Sequence, residues 1–127
     1  RRIRASNRTN LDGALLGTGM PFNNHQDDRL PAYMQTLNEL AAQTAGIRRA
    51  GSAALDLAYV AAGRFDAFWE MGLKPWDIAA GLLLIQEAGG LVSDFAGGNQ
   101  YMESGDIVCG NPKCFKQVLK VVNQYLA

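Results

Sequence analysis

The sequence alternates short strand-like segments with longer segments of helical period, and this alternation is its strongest constraint on the fold. We expect strands at residues 3–6, 14–17, 47–50, 66–71, 91–93 and 107–109. Apolar residues recur at helical spacing in residues 29–44, 53–62, 76–88 and from 111 onward. Elements that alternate in this way are typical of α/β domains, in which helices cover a central sheet. The expected fold class is therefore α/β.

Capping signals mark where several of these helices begin. Ser52 stands at the N-cap position before residues 53–62, and Pro75 suits a first helical turn. Asn111 followed by Pro112 starts the last helix in the same way. The helix at residues 76–88 is apolar on nearly every side, so we expect it to be buried.

Composition bounds the class of protein. With 127 residues and 48% hydrophobic content, the chain can form one compact domain, residues 1–127. Twelve basic residues balance twelve acidic ones, which argues against strong autonomous binding to nucleic acid or an anionic membrane. The longest apolar stretch, residues 78–85, is far too short for a bilayer span. We expect a cytoplasmic protein with Cys109 and Cys114 as reduced thiols, and a chain that starts at Arg1 as a fragment would.

Asp77 is the first candidate for chemistry, because it lies near the start of a helix whose following residues are small or apolar. One interpretation is a first-turn carboxylate that complements the helix dipole. The other is a ligand for Mg²⁺, which prefers carboxylate and water oxygens. The local pattern leaves both interpretations open.

Two further features could contact a ligand. Gly51, Ser52 and Ala53 form a turn of small residues into a helix, where backbone amides could meet an anion or a hydroxyl group, although capping explains the pattern equally well. Glu70 stands near a strand end, seven residues before Asp77, and strand ends in α/β sheets often line ligand sites. A solvated carboxylate is the alternative for Glu70.

Other polar residues suggest structural or surface roles. Asp56, Asp27 and Asp28 lie at or just before helix starts, where acids are common. His25 has no second histidine or cysteine nearby, so a surface position is expected. Arg48 and Arg49 are neighbours on a short strand, so they should point to opposite faces, which would leave one available to a partner. A solvated face is the other interpretation of this pair, and the pattern favours it.

Three segments taken together resemble the inositol monophosphatase family. They are GSAALD at 51–56, FWEMGLKPWDIAAG at 68–81 and EAGG at 87–90. The resemblance extends back to GTGMPF at 17–22 and forward through Gly97 and Gly98, so it covers nearly the whole chain. Bacterial members of the extragenic-suppressor type look most similar.

This resemblance implies a layered α-β-α-β-α sandwich of the sugar phosphatase type, of which the chain would be the carboxyl-terminal α/β part. It implies that Asp77 is a magnesium ligand and that Glu70 binds a hydroxyl group of the inositol ring. The amides of Gly51, Ser52 and Ala53 would line the substrate pocket. Family members carry a glutamate and an Asp-Pro-x-Asp-Gly-Thr motif in their amino-terminal half, and that motif is absent from this sequence.

The function implied by the resemblance is lithium-sensitive, Mg²⁺-dependent hydrolysis of myo-inositol monophosphate by metal-activated water, in a homodimer. The chain alone would be inactive, because most of the metal ligands would lie outside it. One alternative is a phosphatase for another sugar or nucleotide phosphate. A second is a protein-binding module, because extragenic-suppressor-type members are associated with the bacterial transcription machinery.

Overall fold

A computed structural model describes residues 3–19, 28–49 and 51–127 of the chain. Five strands and five helices follow one another within the described residues. They are β1 (Leu15–Thr18), α1 (Leu30–Gln43), β2 (Gly46–Arg48), α2 (Ala53–Ala61), β3 (Ala67–Glu70), α3 (Pro75–Glu87), β4 (Leu91–Ser93), α4 (Tyr101–Ser104), β5 (Ile107–Gly110) and α5 (Pro112–Leu126).

The strands form one mixed sheet in the order β2-β1-β3-β5-β4. β1 pairs in parallel with both β2 and β3, whereas β5 is antiparallel to β3 and to β4. The carboxyl ends of β1, β2 and β3 therefore meet at one edge. Because α2 follows β2 and α3 follows β3, both helices begin at this same edge, where α/β sheets commonly bind ligands.

Helices cover both faces of the sheet. On β3, Trp69 packs into one apolar cluster with Tyr33 of α1 and Val118 of α5. Its neighbour Phe68 points to the other face and packs with residues of α2 and α3, including Leu57. This alternation along the strand produces three layers, α1 and α5, then the sheet, then α2 and α3. The α/β prediction is confirmed.

One predicted strand is absent, and one short helix was not predicted. Residues 3–6 form no strand, because their polar groups bond elsewhere: the Ala5 amide donates to the Ala88 carbonyl at 3.0 Å, and the Ser6 hydroxyl donates to Asp66 Oδ1 at 2.6 Å. Helix α4 was not expected at all, because its four residues are too few to show a helical period.

Helix α3 is not buried on all sides, contrary to expectation. Ile78 and Ile85 are fully buried against the sheet and α2, but Trp76 is 74% exposed and Leu83 is 58% exposed. The helix packs by one face, and its opposite apolar face is uncovered by the described residues.

Two expectations drawn from composition can be compared with the structure. Across residues 3–19, 28–49 and 51–127, every helix falls short of the length and apolar character that a bilayer span requires. Cys109 and Cys114 are both buried free thiols, and burial raises the pKa of Cys109 well above its ordinary value.

Candidate functional site

The first part of the candidate site is the start of helix α2. Gly51 adopts a positive φ of 82°, a conformation that glycine reaches without strain. Ser52 then caps the helix, since its Oγ accepts a hydrogen bond from the Leu55 amide at 3.4 Å. The predicted N-cap is confirmed. Ala53 is the first helical residue, so the turn from Gly51 to Ala53 presents first-turn amides at the edge where the parallel strands end.

Glu70 is the last residue of β3, at this same edge, and it is partly buried. Its carboxyl group lies directly over Gly19, which follows β1: a Cβ atom on residue 19 would overlap the carboxyl carbon and oxygens. Burial, together with the negative charges of Asp56 and Asp77, raises the pKa of Glu70 to about 7, although Arg49 acts in the opposite direction. Glu70 therefore has a protonation equilibrium near neutral pH.

Asp77 lies in the first turn of α3 and is partly buried. One oxygen, Oδ2, accepts a hydrogen bond from the Lys74 amide at 3.1 Å, so the capping interpretation is confirmed. The other oxygen, Oδ1, makes no hydrogen bond with the described residues. A carboxylate that caps a helix through one oxygen can still offer the other to a hard cation.

Asp56 is the site residue that sequence reasoning missed. It lies in the first turn of α2, as expected, but its carboxyl group points inward and the residue is 1% exposed. Oδ1 has no hydrogen-bond partner among the described residues, and burial raises the pKa of Asp56 to about 6. The available signal was helical period, because Asp56 precedes the buried Val60 by four residues and so shares its inner face.

The site therefore gathers carboxyl groups from three elements, Asp56 on α2, Glu70 on β3 and Asp77 on α3. Helices α2 and α3 approach closely, since a Cβ atom on Gly81 would lie 2.5 Å from the Leu57 Cβ. Within the described residues, no group of three or more histidine, cysteine or acidic side chains has the geometry to hold a metal ion. Among the described residues, the Asp77 carboxylate can therefore supply one metal ligand, but the described side chains do not form a complete metal site.

The arginine pair lies at the end of the edge strand, and the charge of Arg49 reaches Glu70. Arg48 is the last residue of the edge strand β2, and Arg49 follows the strand. Both line one groove of about 380 Å³ together with Arg64 and Tyr59. The prediction that they lie side by side within one strand is wrong, because β2 ends at Arg48. Strand alternation does not extend to Arg49, because it lies beyond the last strand residue. His25 and Asp27 fall outside the described residues.

Comparison with known proteins places this arrangement in a family. The model of the inositol monophosphatase family matches residues 1–127. The Nus factor SuhB of Pseudomonas aeruginosa is 61% identical over 126 residues, which cover 99% of this chain and 46% of that protein. The chain spans about half the length of the curated relatives it matches.

Solved structures agree with the sequence comparison. The extragenic suppressor protein suhB of Bartonella henselae superimposes with a TM-score of 0.90 at 43% identity, over 98% of this chain and 46% of that one. The inositol monophosphatase of Anabaena superimposes with a TM-score of 0.89 at 36% identity, over 98% of this chain and 50% of that one. The fold expected from the resemblance is confirmed over the present chain, which belongs to the inositol monophosphatase family.

Proposed function

We propose that this chain is the carboxyl-terminal part of a longer, Mg²⁺-dependent phosphatase that hydrolyses myo-inositol monophosphate to inositol and phosphate. The observation that carries the proposal is the convergence of Glu70 and Asp77 with the start of α2 at one edge of the sheet. Family membership supports the reaction class, because the chain matches the family model along its whole length. The longer protein is called the parent protein below, and the chain alone is expected to be inactive.

Each site residue has a role in this proposal. Glu70, partly buried over Gly19, would bind a ring hydroxyl group of the substrate. The amides of Gly51, Ser52 and Ala53 would meet the polar part of the substrate, since first-turn amides lack partners within the helix. A hydroxyl group paired with a partly buried carboxyl group is recognised specifically, because a substrate without that hydroxyl would leave the carboxyl unpaired.

Asp77 would hold the metal ion through Oδ1 while Oδ2 keeps its bond to the Lys74 amide. When bound, Mg²⁺ would supply an activated water and charge stabilisation during phosphoryl transfer. This capping bond fixes the orientation of the carboxylate before the ion binds, which limits reorganisation during the reaction. Because Mg²⁺ keeps about six ligands, the remaining ones would be waters, substrate oxygens and carboxylates from outside the described residues.

Phosphate release by the parent protein tests this proposal. Myo-inositol 1-phosphate, fructose 1,6-bisphosphate and an adenosine bisphosphate would be compared with Mg²⁺, with EDTA and with added Li⁺. We expect hydrolysis of the inositol ester that requires Mg²⁺ and is inhibited by Li⁺. Hydrolysis restricted to the other two substrates would contradict the assignment of inositol monophosphate as substrate, but it would still support a metal-dependent phosphatase. Equal activity in EDTA would contradict the role of Mg²⁺.

The names of several relatives favour a second candidate, binding to the transcription machinery of a bacterial cytoplasm. The Pseudomonas aeruginosa and Escherichia coli proteins are both called Nus factor SuhB. On this chain the groove beside the edge strand, with Arg48 and Arg64, offers a cationic surface for a protein partner or for a second copy in a homodimer. Sedimentation and co-purification with RNA polymerase, each with wild type and Arg48→Ala, would test both. Unchanged assembly and unchanged co-purification would remove this surface from consideration.

A further inference from the structure

Asp106 is an acid at the edge of the candidate site to which the proposed function gives no role. Ile107, the first residue of β5, pairs with Glu70 in the antiparallel register, so Asp106 lies beside the carboxyl end of β3. Its side chain is only 16% exposed. A carboxylate with so little contact with solvent needs hydrogen bonds or opposite charges to offset its lost hydration. Both of its oxygens have such partners.

The two carboxylate oxygens of Asp106 contact two different elements. Oδ1 accepts a hydrogen bond from the Gly72 amide at 3.1 Å. Oδ2 accepts one from Arg29 Nη1 at 2.7 Å, and Arg29 is the N-cap residue of α1. Hydrogen bonds to a charged acceptor are shorter and stronger than those between neutral groups. Asp106 therefore links the start of α1 to the loop between β3 and α3.

Backbone contacts hold the same loop, residues 71–74, against the turn that precedes β5. The Leu73 amide donates to the Gly105 carbonyl at 2.9 Å. Gly105 has a positive φ of 77°, and a Cβ atom on it would overlap the Leu73 carbonyl oxygen, so the two backbones approach as closely as glycine allows. The Asp106 amide donates to Ser104 Oγ at 3.1 Å, which fixes the turn from within.

The anchored loop connects the two acidic residues of the candidate site. Glu70 precedes Gly72 by two residues. At the other end of the loop, the Lys74 amide donates to Asp77 Oδ2 at 3.1 Å. The bond from the Gly72 amide to Asp106 lies between these two points, so a loop released there could shift either carboxyl group. Displacement of a reacting or binding group by about 1 Å can cost about 100-fold in rate.

We propose that Asp106 is a positioning residue for the candidate site: by binding the Gly72 amide, it holds the loop that sets the spacing between Glu70 and Asp77. The inference rests on the proposed function, which gives these two carboxyl groups their roles toward a substrate hydroxyl and a metal ion. Asp106 acts through the loop and contacts neither ligand, because its own oxygens are bonded to Gly72 and Arg29.

Hydrogen exchange in the Mg²⁺-free parent protein tests the anchor directly. Wild type, Asp106→Ala and Asp106→Asn would be compared. Asp106→Ala should accelerate exchange of the Gly72 amide by about tenfold or more, as loss of a hydrogen bond to a charged group would. Amides of α5, which lies outside this contact, should keep their wild-type rates. Asp106→Asn keeps an oxygen for the Gly72 amide and should accelerate its exchange far less.

Hydrolysis of myo-inositol 1-phosphate, expressed per folded molecule, tests the consequence for the site. Asp106→Ala should lower kcat/KM by about 10- to 100-fold, whereas Asp106→Asn should stay within about fivefold of wild type. An acid with only a structural role would change the folded fraction and leave kcat/KM per folded molecule unaltered. Glu103→Gln is the matched control, since Glu103 is an exposed acid on the neighbouring α4, and it should leave both measurements unchanged.

Three results would overturn the inference. The first is unchanged exchange of the Gly72 amide in Asp106→Ala. The second is faster exchange with unaltered kcat/KM, which would show that the loop bond has no bearing on the site. The third is an equal loss of kcat/KM in the alanine and asparagine variants, which would assign the effect to the ion pair with Arg29 instead of the Gly72 bond.

Mg²⁺ binding, measured by calorimetry without substrate, separates this inference from the proposed function. If wild type hydrolyses no phosphate ester, the proposed function fails. The inference then stands if wild type binds Mg²⁺ and Asp106→Ala weakens that binding by about threefold or more, because the loop still positions Asp77. Equal Mg²⁺ affinity in the two proteins would overturn the inference. Absence of both hydrolysis and Mg²⁺ binding in wild type would overturn both proposals.

Discussion

The Asp77 carboxylate caps a helix and is proposed to hold a metal ion, and a substitution can separate these two roles. Oδ2 caps helix α3 through the Lys74 amide, and Oδ1 is the oxygen proposed to hold the metal. An asparagine keeps an oxygen for the cap but loses the charge that attracts Mg²⁺. Asparagine should therefore preserve the capping role of Asp77 and abolish its proposed metal-binding role.

We predict that Asp77→Asn lowers kcat of the parent protein by about 100-fold or more, because a metal ion supplies several kcal/mol of charge stabilisation and each 1.4 kcal/mol is a factor of ten. The free energy of unfolding should fall by less than about 1 kcal/mol, since the cap is kept. Steady-state kinetics and urea unfolding measure the two effects, with the exposed Glu87→Gln as control. If Asp77→Asn lowers stability but not kcat per folded molecule, the carboxylate caps the helix and does not bind the metal.

The raised pKa of Asp56 predicts how the stability of the folded protein changes with pH. Burial raises its pKa from 3.8 to about 6, so the folded state binds this proton more tightly than the unfolded chain. Stability contributed by the protonated group is therefore present below about pH 4 and is lost as pH rises through about 6. At about 1.4 kcal/mol per pKa unit, the loss is about 3 kcal/mol. Ionisation of Glu70, whose pKa is raised to about 7, lowers the free energy of unfolding further as the pH rises.

Asp56→Asn should remove the Asp56 part of this loss. Relative to wild type, the free energy of unfolding of the variant should rise by about 2 to 3 kcal/mol between pH 4 and pH 7.5, because the amide does not ionise. Urea unfolding of the parent protein across this range measures the difference. Asp12→Asn is the control, since Asp12 is exposed. If wild type and Asp56→Asn give parallel pH curves, the Asp56 carboxyl group does not titrate in the folded state as described.

At the scale of elements, the contact between helices α2 and α3 sets the distance between the parts of the site. Gly81 faces Leu57, and the gap between them leaves no space for a methyl group. Gly81 lies one turn after Asp77, and Leu57 directly follows Asp56, so the two site carboxylates depend on this contact for their relative position.

We predict that Gly81→Ala destabilises the parent protein by about 1 to 3 kcal/mol, the usual cost of overpacking. Alanine gains about 1 kcal/mol in helix propensity, but the added methyl would lie 2.5 Å from the Leu57 Cβ, which no rotamer change can move. Gln86→Ala, exposed on the same helix, should stay within about 0.5 kcal/mol of wild type. Urea unfolding decides, and unchanged stability of Gly81→Ala would show that the helices can separate without cost.

The elements also show which predictions the sequence supports. The caps at Ser52 and Asn111 were predictable, because an N-cap depends on residues within one turn: the Asn111 side chain accepts from the Cys114 amide, three residues away. The strand expected at residues 3–6 failed for the opposite reason. Ser6 bonds to Asp66, sixty residues away, and such a contact leaves no local pattern.

In the candidate site, too, features set by local sequence were predictable and those set by tertiary packing were not. The strand end at Glu70 and the first helical turn at Asp77 follow from local pattern. Their roles as ligands came from the family resemblance and stay predictions, because the local pattern left structural alternatives open. Asp56 was assigned a structural role because acids are common in first turns, a rule that concerns the helix end rather than the face it buries. The inward direction of its side chain is a tertiary property, set by how α2 packs on the sheet.

At the scale of the whole molecule, the outer face of the α2 and α3 layer is apolar and exposed. Trp76, Leu83, Leu84 and Leu55 are 74%, 58%, 36% and 42% exposed. Large apolar side chains exposed together on one layer are typical of an interface. The chain forms three layers, whereas the sandwich implied by the family has five, so we propose that the remaining layers of the parent protein cover this face.

This proposal predicts opposite effects of one substitution in two contexts. Leu83→Gln should destabilise the parent protein by about 2 to 4 kcal/mol, because a buried leucine is lost and an amide is left without partners in the interface. In the present chain expressed alone, the same change should reduce self-association, because it makes exposed apolar surface polar.

Met34→Gln is the matched control: Met34 is 46% exposed on α1, on the other side of the sheet, and its replacement should have little effect in either context. Urea unfolding of the parent protein and sedimentation of the chain alone measure the two outcomes. If Leu83→Gln and Met34→Gln are tolerated equally in the parent protein, the α3 face is a surface there too, and the proposed layer packing is wrong.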